Sequence, residues 1–161
     1  MNSFKNLFIL LFILIIPLAA SASSKANLDL WRRGLFYYGS CGHCAELLSF
    51  TENKDRADFS EYGLGLHSDY YTINLRGPKG TAVTLFGLNN FQTDRGYLVI
   101  VKEDDKDIEI TDLEDFPPRT WTTMDSETGG RYSAYYHPHQ NFKALIESIK
   151  WGKGPQSANN N

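Results

Sequence analysis

The residues with the most distinctive chemistry are Cys41, His43 and Cys44, two cysteines that enclose a Gly-His dipeptide. An aromatic, strand-like run over residues 34–38 precedes them, and residues 44–50 contain helix formers and apolar anchors. A helix that begins here would place Cys41 near its positive N-terminal end. That end and a protonated His43 would both stabilise a thiolate, the nucleophile of thiol–disulfide exchange. The spacing therefore indicates a dithiol, either redox-active or joined in a structural disulfide.

This segment resembles the active site of thioredoxin-fold disulfide isomerases over about ten residues. The resemblance implies a periplasmic thiol–disulfide oxidoreductase in which Cys41 attacks, Cys44 resolves the mixed disulfide and His43 tunes the potential. Ser40 stands where that family usually has a tryptophan, and residues 93–97 lack its proline opposite the dithiol. The alternative is a local Cys41–Cys44 disulfide without catalytic function, which an oxidising compartment favours.

A metal site is a third interpretation of the same cysteines. With His137 and His139 they would supply the two thiolates and two imidazoles of a zinc site. Zinc fingers, however, space their histidines by three to five residues, and oxidised cysteines are lost as ligands. The acidic residues between 103 and 115 lack the ligand spacing and the glycine of an EF-hand, which favours a solvated face. We therefore predict no metal and no cofactor.

The sequence lacks the motifs of several other enzyme classes. It contains no Gly-x-Ser-x-Gly, no metalloprotease helix with two histidines and no glycine-rich phosphate loop. The net charge of −3 argues against a nucleic-acid partner, which would require a basic surface. The leading prediction is therefore a non-enzymatic binding protein, and the second is the oxidoreductase.

Aromatic residues supply the predicted binding surface. The chain has 3 Trp, 9 Tyr and 10 Phe, and its tyrosines include three adjacent pairs. Along a strand, one member of each pair faces inward and the other outward. We assign the contact surface to Tyr38, Tyr71, Tyr136 and Trp121, for an envelope or extracellular protein (an inhibitor- or immunity-type role) or a glycan. The alternative is that these tyrosines reflect only the preference of β-strands for aromatic residues.

Residues 1–22 have the features of a secretory signal peptide. Lys5 gives the segment a positively charged N-terminal region. Residues 7–16 are ten consecutive apolar residues, and Pro17 ends this run. A membrane span needs roughly 20 apolar residues, about twice this length. We predict cleavage after Ala22 and a secreted or periplasmic protein that is not embedded in a membrane.

The remaining chain predicts one β-rich domain over residues 23–152, followed by a disordered tail over residues 153–161. Short connections with turn residues predict antiparallel hairpins. The predicted strand pairs are 70–75 with 81–86, 97–101 with 108–110, and 120–123 with 131–136.

Two helices complete the predicted α+β fold. The first is short and follows Cys44. The second lies near the C-terminus, between a capping Asn141 and Gly152. Its apolar residues recur at i, i+3, i+4 and i+7 and are Phe142, Leu145, Ile146 and Ile149. The hairpins are predicted to form a sandwich or half-barrel that this helix covers on one face.

Residues 82–151 resemble a β/γ-crystallin motif. Phe86 and Phe91 have its aromatic spacing of five residues, and residues 112–121 and 148–151 are similar to its later portion. Thr93 replaces the glycine of its fold-back, and the acidic pair of its calcium loop is missing. The resemblance bears on architecture alone and implies no calcium binding.

Overall fold

The fold is that of a computed structural model, which describes residues 25–33, 47–59 and 70–155. Within these ranges the chain forms nine strands and two short 3-10 turns, Asn89–Phe91 and Phe142–Ala144. The strands are β1 (Asn27–Arg33), β2 (Leu47–Thr51), β3 (Tyr70–Arg76), β4 (Ala82–Phe86), β5 (Tyr97–Lys102), β6 (Ile108–Ile110), β7 (Trp121–Asp125), β8 (Arg131–His137) and β9 (Ser148–Trp151).

The strands form two antiparallel sheets with a sandwich-like architecture. The four-stranded sheet has the order β2-β1-β3-β6, and the five-stranded sheet has the order β7-β8-β5-β4-β9. Alternate side chains of each sheet face the core between them: Ile73 and Leu75 from β3, and Leu98 and Ile100 from β5, are fully buried. Each such side chain contributes about 1.5–3 kcal/mol through burial. The prediction of a β-rich, antiparallel fold is confirmed.

Only one of the three predicted hairpins forms. β7 and β8 pair as expected, with Thr123 opposite Ser133. β3 and β4, however, lie in different sheets, as do β5 and β6. Turn residues predict that the chain reverses direction, but they do not distinguish a hairpin within one sheet from a corner between two sheets. Here the apolar faces of consecutive strands meet across the core.

Lys102 stabilises one of these corners. Its side chain is fully buried at the end of β5, and Nζ donates hydrogen bonds to the carbonyl oxygens of Leu75 and Lys106. Burial lowers the pKa of Lys102, an effect that Asp107 opposes most among the nearby carboxylates. The two bonds join the end of β5 to β3 in the other sheet and to the connection that leads to β6.

Both predicted helices are wrong where the structure describes them. Residues 47–50 belong to β2, which pairs with β1. The C-terminal stripe forms a 3-10 turn followed by β9, in which Ile149 lies opposite Leu85 of β4 and exchanges backbone hydrogen bonds with Arg56 on its other side. Pairing on both sides overrides the local helical periodicity. Asn141 makes no capping bond, and Gly152 follows a strand rather than a helix.

Several predictions concern residues that the structure does not describe. The signal peptide, the start of the first helix at residues 44–46 and the tail from residue 156 lie outside the described residues. Gly154, at the start of the predicted tail, donates its backbone N–H to Thr84 Oγ1 at 2.8 Å. No helix among the described residues is long and apolar enough to cross a membrane.

Candidate ligand-binding face

The predicted site residues do not form one surface. Tyr38 and the motif Cys41, His43 and Cys44 lie outside the described residues. Trp121 is 43% exposed, whereas Tyr71 and Tyr136 are each 4% exposed and belong to the core. The assignment of Tyr71 and Tyr136 to an exposed contact surface is therefore wrong.

Both members of the Tyr135–Tyr136 pair are buried, on opposite faces of the five-stranded sheet. Tyr136 faces the core, and burial, assisted by the negative charge of Glu114, raises its pKa to about 12. Tyr135 faces outward, with its ring 5.6 Å from that of Trp121 and 6.0 Å from that of Tyr97. The outer face of this sheet is also apolar, since Val99 is fully buried there. Hydrophobicity therefore could not indicate which face meets the core.

The outer face of the four-stranded sheet carries a different set of side chains, which we call the polar face. It consists of Asp29, Trp31, Thr72, Asn74 and Arg76. Strand register places Asp29 opposite Asn74 and Trp31 opposite Thr72. Paired strands lie about 4.8 Å apart, and side chains two residues apart on one strand are separated by about 7 Å. These groups therefore lie within the reach of one small ligand.

Asp29 anchors the polar face. Its carboxylate accepts hydrogen bonds from Ser49 Oγ at 2.5 Å and Asn27 Nδ2 at 2.7 Å, and forms an ion pair with Arg76. Asp29 is 6% exposed, so its charge is stabilised by these donors rather than by bulk water. The network fixes the carboxylate and draws the guanidinium of Arg76 across the face.

Two polar atoms of this face have no hydrogen-bond partner among the residues that the structure describes. Thr72 Oγ1 and Asn74 Oδ1 are both buried and unpaired, and Thr72 is only 6% exposed. An unsatisfied buried polar group costs about 1–3 kcal/mol. In native proteins such atoms usually bond to ordered water or to a ligand. The hydroxyl of Thr72 can donate or accept a hydrogen bond, and the amide oxygen of Asn74 accepts one.

Trp31 adds a flat apolar surface beside these atoms. It is 40% exposed, and Thr72 is its register partner on β3. An exposed indole next to convergent hydrogen-bonding groups suits a ligand with both an apolar side and several polar substituents. Asp29 is already engaged by three donors, so this arrangement favours binding over acid–base catalysis.

The sequence contained a signal for this face. Along β1, Asn27, Asp29 and Trp31 alternate with Leu28 and Leu30. That pattern is typical of a strand with one polar face. Recognising the site also requires the pairing of β1 with β3, which joins residues more than 40 positions apart.

No three His, Cys, Asp or Glu side chains in the described part of the chain converge in a way that would hold a metal ion. His137, one histidine of the zinc alternative, stacks on Tyr97 with ring centroids 5.1 Å apart. His139 Nδ1 lies 2.9 Å from the carbonyl oxygen of Gln140.

Comparisons with protein-family models, with curated proteins and with solved structures gave no match to this chain.

Proposed function

We propose that this protein is exported and binds neutral saccharides through its polar face, without catalysing a reaction on them. The observation that carries the proposal is the pair of unpartnered buried atoms, Thr72 Oγ1 and Asn74 Oδ1, beside the exposed Trp31. The signal-peptide features of residues 1–22 support the export of the chain.

The chemistry of a sugar ring matches these groups. One side of the ring presents C–H groups, which stack on an indole, while its hydroxyl groups donate and accept hydrogen bonds. Asn74 Oδ1 would accept a bond from one hydroxyl group, and Thr72 Oγ1 would bond to another. The ion-paired Arg76, whose side chain is 48% exposed, has further donors directed towards solvent.

The charge of the face favours a neutral ligand over an anion. Asp29 compensates the guanidinium of Arg76, and Glu109 extends the same row of side chains beside Asn74. The whole chain has a net charge of −3, which repels anionic ligands at long range. An uncharged hexose oligomer is not repelled by this net negative charge.

The proposal is tested by a nuclear magnetic resonance titration of the ¹⁵N-labelled protein with neutral gluco-, manno- and galacto-oligosaccharides. The chain has three tryptophans, Trp31, Trp121 and Trp151, whose indole N–H signals can be assigned by single Trp→Phe variants. We expect the Trp31 signal to shift while the Trp121 and Trp151 signals stay in place. A shift confined to Trp121, or no shift with any of these sugars, would contradict the proposal.

A further inference from the structure

The two sheets have four edges, and three of them are covered at least in part. Arg56 exchanges two backbone hydrogen bonds, each of 2.9 Å, with Ile149 at the edge of β9. At the edge of β6, the N–H of Glu109 donates to Ser126 Oγ at 2.8 Å. At the end of β2, the carbonyl of Thr51 accepts a bond from Lys54 in the turn that follows the strand.

The edge of β7 differs from the other three. The bond from the Ser126 N–H to the Gly130 carbonyl fixes which residues of β7 bond to β8. Because bonded pairs alternate along an antiparallel ladder, Thr122 and Met124 bond to β8. The N–H and C=O groups of Trp121, Thr123 and Asp125 therefore point away from the sheet. These six groups have no hydrogen-bond partner among the described residues.

This edge also lacks the usual protection against pairing. Natural edge strands carry lysine, proline or a bulge that prevents another strand from adding to them. From Trp121 to Asp125 the register is continuous over five pairs, and the strand contains neither lysine nor proline. Trp121, Thr123 and Asp125 are all exposed. Within the described part of the chain, this edge is therefore open to another extended strand.

We propose that β7 of a second copy of this chain occupies the edge, in an antiparallel arrangement about a two-fold axis at Thr123. This register pairs Thr123 with the partner's Thr123, and Trp121 with the partner's Asp125. All six free backbone groups are then satisfied, three donors and three acceptors on each chain. Threonine pairs of this kind stabilise antiparallel sheets.

Electrostatics favours this register over its neighbours. An axis at Asp125 would place two carboxylates directly opposite each other, which destabilises a strand pair. An axis at Trp121 would bring residues 117–119 into the ladder, and these include two prolines that lack an N–H donor. With the axis at Thr123, no like charges oppose each other. The result is a dimer with one continuous ten-stranded sheet, and the polar face of each copy lies in the other layer.

Sedimentation velocity of the purified protein over 1–300 µM tests the proposal against a matched pair of variants. We expect a concentration-dependent dimer for the original chain and for Thr123→Val, which keeps the N–H group. Thr123→Pro removes one outward donor from each chain and should raise the dissociation constant at least tenfold. Circular dichroism should show that Thr123→Pro remains folded, since the lost N–H makes no bond within its own chain.

Cross-linking tests the register independently, in a chain whose Cys41 and Cys44 are both replaced by serine. Thr123→Cys should form a disulfide-linked dimer on mild oxidation, because the two-fold axis brings this position next to itself. Met124→Cys should not, because it lies opposite the partner's Thr122. A monomer at all concentrations, an equally tight Thr123→Pro dimer, or cross-linking by Met124→Cys alone would overturn the proposal.

Discussion

Asp29 determines the geometry of the polar face, because Ser49, Asn27 and Arg76 all donate to its buried carboxylate. A carboxylate with several donors is held in one orientation, and its donors are oriented in turn. Asp29 positions Arg76, while Thr72 and Asn74 retain the unpaired atoms that we assign to the ligand. In this face, the Asp29 carboxylate already accepts hydrogen bonds from three side chains, whereas the unpaired atoms of Thr72 and Asn74 are available to a ligand.

Replacement of Asp29 tests this anchoring role. Asp29→Ala removes the acceptor of three donors and should lower the free energy of unfolding by about 1–3 kcal/mol. Asp94→Ala removes an exposed carboxylate that lies outside the polar face and the β7 edge, and it should change the free energy of unfolding by no more than about 0.5 kcal/mol. Urea unfolding of the two variants measures the difference. Equal losses would show that the Asp29 network does not stabilise the fold.

None of the residues of the polar face was among the site residues predicted from the sequence. The exposure of Trp121 agrees with its assignment to a contact surface, but Tyr71 and Tyr136 face the core. A tyrosine pair on a strand offers one residue to each face, but both Tyr135 and Tyr136 are buried in this fold. The surroundings of Thr72 and Asn74 depend on the side chains that β1 and β6 place beside them, and no local sequence pattern predicts that pairing.

At the level of the secondary-structure elements, apolar and aromatic runs bounded by turn residues identified six strands, but only β7 and β8 have their predicted partner. All six strands from β3 to β8 lie close to their predicted ranges. At the corner between β5 and β6, Lys102 Nζ donates to the carbonyl oxygens of Leu75 in β3 and of Lys106 in the connection to β6. β9 shows a different error, in which Ile149 fitted a helical stripe but lies buried on a strand.

Proline substitution in β7 tests the direction of its hydrogen bonds. Thr122 bonds to β8, so Thr122→Pro should remove a ladder bond and destabilise the fold by about 3 kcal/mol or more. The N–H of Thr123 points outward, so Thr123→Pro should lower the free energy of unfolding of the monomer by less than about 1 kcal/mol. Thermal unfolding at low micromolar concentration compares the two. Equal destabilisation would mean that the hydrogen-bond alternation in β7 is assigned incorrectly.

At the scale of the whole molecule, the two layers enclose a core that contains buried phenols. Burial raises the pKa of Tyr132 to about 12, with a smaller contribution from the negative charge of Asp115. Tyr136 has a pKa of about 12 for a similar reason. Since the ordinary value is 10, the folded state favours the neutral phenols. The resulting stability is fully present below pH 10 and is lost as the pH rises towards 12.

Alkaline unfolding tests this property of the core. The urea concentration at the midpoint of unfolding should decrease between pH 10 and pH 12, and unfolding in this range should increase the tyrosinate absorbance because Tyr132 and Tyr136 become ionised. In Tyr132→Phe the urea midpoint should decrease less over this pH range, because one ionisable group is removed. The substitution removes little else, since the only hydrogen bond of the Tyr132 hydroxyl in the described structure is a weak 4.0 Å contact with Met124 Sδ. A pH dependence identical to that of the original chain would contradict the assignment to Tyr132.

Isothermal titration calorimetry with a neutral oligosaccharide is the most direct measurement of saccharide binding at the polar face. Trp31→Ala and Trp121→Ala form a matched pair, since both tryptophans are about equally exposed and lie on different sheets. We predict that Trp31→Ala weakens binding at least tenfold, about 1.4 kcal/mol, while Trp121→Ala leaves the affinity unchanged. Unchanged affinity in Trp31→Ala, or its loss in Trp121→Ala alone, would contradict the claim.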